Sequence, residues 1–243
     1  MSETDSLVRA IFRQGKSSEQ TRREADYIEM LLGLSLPAHL LDVPCGGGRL
    51  ALELAGRGYQ ITGVDNDAAL LDDARRNAAE RSLDAAIRLE QRDMRDLPWR
   101  EAFDGAYCFW ESFGFFDEEG NRAFLSAVAT ALKSGAKFVF DTHVAETMLP
   151  HLGQRPWERV GDDLLVLEER DYDPATATLT RRLIIVGQGH KETIALPMRL
   201  YTYRELLTLL RSVGFASCEG YTWLSLVPFM MGAPRLLMVA GKE

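Results

Sequence analysis

The amino-acid sequence predicts one α/β domain over residues 1–243, built on a doubly wound sheet of seven mostly parallel strands. Short apolar segments alternate with segments of helical apolar spacing between residues 39 and 140. This alternation is typical of a parallel sheet covered by helices on both faces. Longer segments of alternating polarity follow, and they predict a small antiparallel β insert after the fifth strand. Two final strands complete the same sheet, and a length of 243 residues suits one domain of this class.

Local signals predict the elements of the parallel sheet and its helices. Ser17 or Ser18 can cap a first helix, whose apolar face carries Ala25, Ile28, Leu31 and Leu32. Three further apolar stripes predict helices at 50–55, 70–79 and 124–132. Gly135 is placed to end the last of these helices. The predicted strands are the short apolar segments 39–43, 60–64, 86–89, 106–110 and 137–140.

After the fifth strand, alternating segments replace the buried ones. They predict three strands, at 163–172, 178–186 and 193–201. Clean alternation in the last of them indicates a half-exposed antiparallel strand, and Pro197 places it at a sheet edge. We therefore expect an antiparallel β insert over 157–201. A capping box then opens a helix that runs to 213–214, and two strands follow at 216–223 and 235–241.

The composition indicates a globular protein of the cytoplasm. Hydrophobic residues make up 46% of the chain, enough for a substantial core. The net charge of −8 argues against nucleic acid as a partner, because phosphate binding needs a basic face. The chain shows no signal-peptide pattern and no apolar run long enough to span a bilayer, so no membrane partner is expected. Three separated cysteines and four scattered histidines predict no disulfide framework and no metal site.

A glycine-rich segment at 42–49 ends the first strand and opens the helix after it. Glycines at this point let the chain turn sharply and bring backbone N–H groups close to a ligand at a helix N-terminus. Asp65 ends the second strand, 19 residues after Gly46. An acid at this spacing accepts hydrogen bonds from ribose hydroxyls, and it can also cap the following helix together with Asn66 and Asp67. The segment therefore predicts a site for an adenosine-containing cofactor.

The same glycines fit the dinucleotide fingerprint, so a nicotinamide cofactor is an alternative. Two acids favour a different, cationic cofactor. Asp42 would face the pyrophosphate of a dinucleotide with like charge, whereas it would attract a sulfonium and an ammonium. After the third strand, Asp93 can accept from an adenine amino group while Met94 packs on the ring.

These motifs resemble the class I S-adenosylmethionine-dependent methyltransferases, over residues 20–142. The resemblance implies a Rossmann-like methyltransferase fold, with S-adenosyl-L-methionine as cofactor and S-adenosyl-L-homocysteine as product. It also implies that the cofactor is bound by residues of the glycine loop, of the second and third strand ends and of the fourth-strand segment: Asp42, Pro44, Cys45, Gly46, Gly48, Asp65, Asn66, Asp93, Met94 and Trp110. Pro44 departs from the family pattern, since the first glycine of the motif usually stands there.

A finer resemblance is to small-molecule N-methyltransferases, of the glycine N-methyltransferase and amino-sugar N-methyltransferase types. Residues 23–27 are similar to the N-terminal helix segment of glycine N-methyltransferase, which implies that Arg23 pairs with the cofactor carboxylate. A solvated helix arginine is the alternative. Residues 109–113 are similar to the segment that runs from cofactor to substrate in that family. Glu111 stands where a family member has Asn, so the acceptor need not be glycine.

Four residues are predicted to meet the methyl acceptor. Trp110 and Phe113 follow the fourth strand, where aromatic faces hold a methylsulfonium or an amine by cation–π attraction. Core packing is the alternative for Phe113 and is expected for Phe109. Glu111 is the first candidate for binding or deprotonating a cationic amine, and His143, after the fifth strand, is the second.

The sequence thus predicts an S-adenosylmethionine-dependent methyltransferase acting on a small-molecule acceptor, with an amine favoured over a hydroxyl or a carboxylate. The rival interpretations are an NAD(P)-dependent oxidoreductase and a regulatory protein that binds the cofactor without turnover. We expect the N-terminal helical segment 1–36 and the insert 157–201 to cover the site as a lid. A monomer or a homodimer is expected.

Overall fold

The computed structural model describes residues 17–160, 164–187 and 190–243. Its first half alternates helices and strands in this order: α1 (Ser18–Leu32), β1 (His39–Asp42), α2 (Arg49–Gly56), β2 (Gln60–Asp65), α3 (Ala68–Glu80), β3 (Ile87–Gln91), β4 (Phe103–Cys108), α4 (Glu118–Ala131) and β5 (Leu132–Thr142). A short α5 (Ala145–Met148) and a 3-10 turn follow. The second half contains β6 (Trp157–Val160), β7 (Leu164–Asp173), β8 (Thr178–Gly187), β9 (His190–Arg199), α6 (Tyr203–Ser212), β10 (Phe215–Thr222) and β11 (Leu236–Lys242).

Seven strands form the main sheet, in the order β10-β11-β5-β4-β1-β2-β3. The pairs among β1 to β5 are all parallel, and β11 pairs antiparallel with both β5 and β10. The predicted doubly wound, mostly parallel sheet is therefore confirmed. Because parallel strands end at one edge, the segments after β1, β2, β4 and β5 meet along a common crevice.

Two apolar layers cover the sheet. One contains α4 and α6 and centres on buried aromatic rings that include Phe124, Phe138 and Phe215. The other contains α1 and α2, with Ile28, Leu54 and neighbouring aliphatic residues. The predicted N-terminal helix is confirmed: Ser17 is its cap and accepts a hydrogen bond from the Gln20 backbone. Residues 1–16 of the predicted lid lie outside the described residues.

The insert is a second sheet of four antiparallel strands, in the order β6-β7-β8-β9. The prediction of three strands was therefore wrong by one, because the short β6 pairs with β7 at four positions and was too brief to show a pattern. β9 is an edge strand that contains Pro197, as predicted. A small apolar cluster, including Leu179, Met198 and Ala145, packs this sheet against α5.

Two boundaries differ from the prediction. α4 ends at Ala131, since Leu132 is already extended and pairs with Phe103, so Gly135 lies inside β5 rather than ending the helix. Gly135 keeps a positive φ of 76° there, which a glycine adopts without strain. β4 ends at Cys108, which places Trp110 two residues beyond the strand in the loop at the crevice. Among the described residues, no helix combines the length and apolar character that a membrane crossing requires.

Candidate active site

The glycine loop after β1 leaves space for a ligand. Gly46 and Gly48 both have positive φ, 52° and 75°, so the loop needs glycine at these positions. A Cβ atom on Gly48 would approach the Ala74 Cβ to 2.9 Å, which shows how closely the loop packs on α3. A Cβ atom on Gly46 or Gly47 would meet nothing within 4 Å. The open side of the loop is therefore the side on which a cofactor fits.

Asp65 supports this loop directly. Its carboxylate accepts the Gly46 N–H at 2.7 Å and the Asp67 N–H at 2.9 Å. The side chain is 7% exposed, and burial raises its pKa. The cap of α3 is Asp67, which accepts from the Ala69 and Leu70 backbones. Asp65 thus holds two backbone turns in place at the point where a ribose hydroxyl was predicted.

Unlike Asp65, Asp42 has a carboxyl oxygen without a hydrogen-bond partner among the described residues. It is 3% exposed, and its buried Oδ2 has no hydrogen-bond partner among the described residues. Burial raises its pKa to about 8, although the Tyr107 hydroxyl and the charge of Arg49 act in the opposite direction. A buried carboxyl with an unpaired oxygen is costly unless a partner arrives. A cationic cofactor supplies such a partner, so the residues fit S-adenosylmethionine.

The first helix contacts the site through Glu24 rather than through Arg23. Glu24 is fully buried and accepts from Arg49 Nη2 at 2.5 Å and from the Trp110 indole Nε1 at 3.1 Å. The Arg49 guanidinium also lies 5.5 Å from the Trp110 ring centre. Arg23 is exposed and takes no part in this cluster. Its predicted contact with the cofactor carboxylate remains a prediction.

The remaining predicted cofactor residues line the same edge with less burial. Asp93 is exposed and accepts two side-chain hydrogen bonds from Arg95, which lower its pKa. Met94 is half-buried and packs on the core layer of α4, and Asn66 is exposed. Cys45 is buried and its backbone N–H donates to Val64 O at 2.8 Å, while Pro44 is half-buried. An adenine contact at Asp93 would have to share its carboxylate with Arg95.

The loop after β4 contains an unusual turn. Trp110 and Glu111 are consecutive non-glycine residues with φ of 73° and 57°. Each such left-handed residue costs roughly 1–2 kcal/mol. The Asp141 carboxylate, at the end of β5, accepts the Trp110 N–H at 2.6 Å and the Glu111 N–H at 3.2 Å. These two hydrogen bonds compensate for the strain of the turn.

Glu111 lies at the centre of an ion-pair cluster. It contacts His143 Nε2 at 3.1 Å, Arg181 Nη1 at 2.8 Å and the guanidinium of Arg235. Burial by itself would raise the pKa of Glu111, but the hydrogen bond from His143 and the charges of His143, Arg235 and Arg181 outweigh it and hold the pKa well below its usual range. Glu111 is therefore an ionised partner of two guanidinium groups and accepts a hydrogen bond from His143. A carboxylate of this kind is a weak base, which argues against the deprotonating role, and the predicted contact of Glu111 with the acceptor stays a prediction.

His143 is the remaining candidate base. Its Nε2 faces Glu111, and its Nδ1 lies 3.5 Å from the Thr147 hydroxyl. A carboxylate beside one imidazole nitrogen fixes the orientation of the ring. His143 and Glu111 were both predicted to meet the acceptor, and the structure brings them together.

The two arginines of this cluster come from distant parts of the chain. Arg181 belongs to β8 of the insert and forms a two-pronged pair with Glu168 of β7, at 3.0 and 2.9 Å. Arg235 precedes β11, contacts Asp141 at 2.8 Å, and lies between the rings of Trp110 and Trp223 at 5.2 and 4.6 Å. The sequence analysis missed both arginines, together with Glu24, Arg49 and Asp141. No local pattern marks the arginine before the final strand as a site residue. Asp141 could have been predicted, because it lies at the end of β5 as Asp42 and Asp65 lie at the ends of β1 and β2.

Phe113 lies in the core rather than at the acceptor. It is 1% exposed, and its ring packs on Tyr201, Phe140 and Phe124 at 5.6 to 6.4 Å. These neighbours pack around its ring, as the alternative of core packing requires, and the structure shows no open face of Phe113 for the predicted substrate contact. Phe109 packs on Trp223 and Tyr107 as expected for a core residue. Trp110, by contrast, is half-buried and borders the ion-pair cluster.

Comparison with known proteins finds similarity to methyltransferases. Residues 40–135 match the methyltransferase domain family. The chain is 33% identical over 120 residues to the ubiquinone biosynthesis O-methyltransferase of Alkalilimnicola ehrlichii, covering 48% of this chain and 46% of that protein. The chain therefore spans about half the length of the curated relatives it matches.

Two solved structures resemble nearly the whole chain. A S-adenosylmethionine-dependent methyltransferase from Clostridium acetobutylicum is 16% identical, with a TM-score of 0.77 over 99% of this chain and 98% of that one. An amino pentose methyltransferase from Micromonospora echinaspora, solved with S-adenosylmethionine bound, is 20% identical, with a TM-score of 0.71 over 100% and 98%. The predicted fold class is confirmed. The match of residues 40–135 to methyltransferase domains agrees with the predicted S-adenosylmethionine cofactor.

Proposed function

We propose that the chain is an S-adenosylmethionine-dependent methyltransferase that methylates a small-molecule acceptor, with an amine nitrogen as the acceptor atom. The observation that carries the proposal is the Asp42 carboxyl, which is buried with an unpaired oxygen beside an open glycine loop. The match of residues 40–135 to methyltransferase domains supports it. A pyrophosphate-containing cofactor offers no positive charge that would favour the ionised form of Asp42, which disfavours the oxidoreductase interpretation.

The residues of the cofactor side bind and orient. The loop at 46–48 offers backbone N–H groups, Asp65 holds the loop and accepts from ribose, and Asp42 provides the negative charge. When bound, S-adenosylmethionine supplies a methyl group on a positively charged sulfur, which is already a good leaving group. Alignment and exclusion of water are then the main tasks of the protein.

On the acceptor side, charge balance favours an uncharged amine. Glu111, Asp141 and Glu168 are matched by Arg181, Arg235 and Arg170. This cluster therefore offers no spare carboxylate for an ammonium. A neutral amine attacks without a strong base, and in this proposal His143, which Glu111 orients, takes the proton that the product loses.

A hydroxyl acceptor is the second candidate. The contact of Glu111 with His143 is a carboxylate–imidazole pair, which is the arrangement used to activate hydroxyl groups. The similarity to an O-methyltransferase points the same way. Either acceptor would be enclosed by α1 and by the insert sheet, which contacts the cluster through Arg181.

Ligand-induced thermal stabilisation tests the cofactor. At 100-fold over its Kd, S-adenosylmethionine or S-adenosylhomocysteine stabilises the protein by about 3 kcal/mol. Stabilisation by NAD(H) alone contradicts the proposal. A panel of amines, alcohols and carboxylates with methyl-labelled S-adenosylmethionine then identifies the acceptor atom. Label transfer to alcohols alone favours the second candidate, and binding without any transfer favours a regulatory protein.

A further inference from the structure

We propose that Arg235 and Asp141 form a clamp that fixes the Trp110–Glu111 turn and thereby positions the methyl acceptor. The inference rests on the proposed function, since the acceptor site is taken to lie at this turn. In this assignment Arg235 is a positioning residue: it acts through Asp141 and Glu111 and does not touch the acceptor itself.

The turn needs support from outside its own segment. Trp110 and Glu111 are both left-handed, and neither is glycine. A relaxed backbone would rotate both residues out of this conformation and would move their side chains together. These side chains are the indole that borders the cluster and the carboxylate that orients His143.

Asp141 provides the direct support. Its side chain is fully buried, and its two oxygens accept the two consecutive N–H groups of the turn. β5 pairs with β4 in the main sheet, so the end of one strand holds the loop that follows its neighbour. The turn is therefore held by a short, buried side chain that projects directly from the main sheet.

Arg235 fixes Asp141 in turn. One guanidinium nitrogen donates to Asp141 Oδ2, and the other contacts Glu111 Oε1. The same group lies between two indole rings, which restrict it to one orientation. The planar guanidinium contacts both carboxylates from one fixed position and thereby sets the distance between Asp141 and Glu111. The single ammonium group of a lysine could not make both contacts in this geometry.

The arrangement also explains why the residue is an arginine at this point of the chain. Arg235 immediately precedes β11, the strand that pairs antiparallel with β5, so it enters the crevice beside the end of β5. The loop after β4, the end of β5 and the residue before β11 thus meet in one cluster of two carboxylates and a guanidinium group. Loss of this cluster should disturb the acceptor while leaving the glycine loop, Asp42 and Asp65 intact.

The test compares Arg235→Gln and Arg235→Lys with Arg199→Gln. Arg199 is a matched control, since it is equally exposed, contacts two carboxylates and lies 4.5 Å from the ring of Tyr201. In ¹⁵N-labelled protein, we expect the Trp110 and Glu111 amide signals to shift or broaden in Arg235→Gln and to stay in place in the control. With the most active amine of the panel, kcat should fall about 50-fold in Arg235→Gln and less in Arg235→Lys. The Kd of S-adenosylhomocysteine should stay within threefold of wild type.

Unchanged amide signals in Arg235→Gln would overturn the clamp, and so would an unchanged kcat. An equal loss of S-adenosylhomocysteine affinity would assign Arg235 to general stability instead. If Arg235→Gln does not fold, Arg235→Lys carries the same comparison, with the smaller shift expected. A wild-type protein without methyl transfer would reject the proposed function, and the amide signals would still decide whether the clamp exists.

Discussion

The cofactor side and the acceptor side of the site differ in how the charge of their buried carboxyl groups is compensated. On the cofactor side, Asp42 is buried with an unpaired oxygen, and the glycine loop beside it is open. On the acceptor side, Glu111 is paired with the Arg181 and Arg235 guanidinium groups and with His143, and Asp141 is paired with Arg235. The first half is incomplete until a cation arrives, whereas the second is complete within the protein.

This difference indicates which half depends on its ligand. A buried carboxyl that lacks a partner keeps its proton, so the pKa of Asp42 rises to about 8. A buried carboxylate with several cationic partners stays ionised and contributes to folding. We therefore expect substitutions on the acceptor side to lower stability first, and substitutions on the cofactor side to lower ligand affinity first.

The largest effect is expected for Glu111→Gln. It leaves Arg181 and Arg235 partly uncompensated in a buried position, at a cost of about 3 kcal/mol in the free energy of unfolding. Because the pKa of Glu111 is lowered in the folded state, this stabilisation is fully present above its unfolded pKa of about 4.5 and is lost progressively as the pH falls from there through the folded pKa. Urea unfolding at about pH 7 and about pH 3 measures both effects.

Glu118→Gln is the control for that prediction. Glu118 is an exposed partner of Arg199, so its loss should cost less than about 1 kcal/mol. Equal losses of unfolding free energy in the two variants would mean that the ion pairs of the acceptor cluster do not stabilise the fold.

The next effect is the loss of cofactor affinity in Asp65→Ala. This change removes the acceptor of two backbone hydrogen bonds and the predicted ribose contact. We expect the Kd of S-adenosylhomocysteine to rise about 100-fold, as isothermal titration calorimetry would measure. The exposed Asp84→Ala is the control. An unchanged Kd in Asp65→Ala would show that the loop does not bind the cofactor.

A smaller effect is expected from pH. Between pH 6 and 7.5 the free protein holds a proton on Asp42, which a bound cation would displace. The Kd of S-adenosylmethionine should therefore fall about tenfold over this range, and Asp42→Asn should remove the dependence. The stability of the free protein changes in the opposite direction. Because burial raises the pKa of Asp42, the free energy of unfolding decreases as the pH rises from about 4 to 8. A pH-independent Kd in wild type would contradict the assigned role of Asp42.

The smallest effect separates the two interpretations of Arg23. If this exposed arginine pairs with the cofactor carboxylate, Arg23→Gln should weaken S-adenosylmethionine binding about fivefold. Arg22→Gln, at the neighbouring exposed position, is the matched control. Equal affinities of the two variants would identify Arg23 as a solvated helix residue.

Local patterns were sufficient for most of the fold. Short sequence patterns identify the glycine loop, the acid after β2 and the capping residues of α1 and α6. Each pattern extends over only a few residues, so it is visible in the sequence. Gly135 was misplaced because pairing with β4, a long-range contact, ended α4 early. The short β6 was missed because its existence depends on its partner strand.

The α/β sheet, the cofactor loop and the acids at its edge could be predicted from local patterns, because apolar period and glycine position follow from local backbone physics. The role of Glu111 depends instead on contacts that exist only in the folded chain. Its partners His143, Arg181 and Arg235 lie 32 to 124 residues away along the chain. Their interactions with Glu111, rather than the chemistry of the residue, turned a candidate base into the ionised centre of a cluster. Charge compensation between distant segments has no local signal, and it is what separates the cofactor half of this site from the acceptor half.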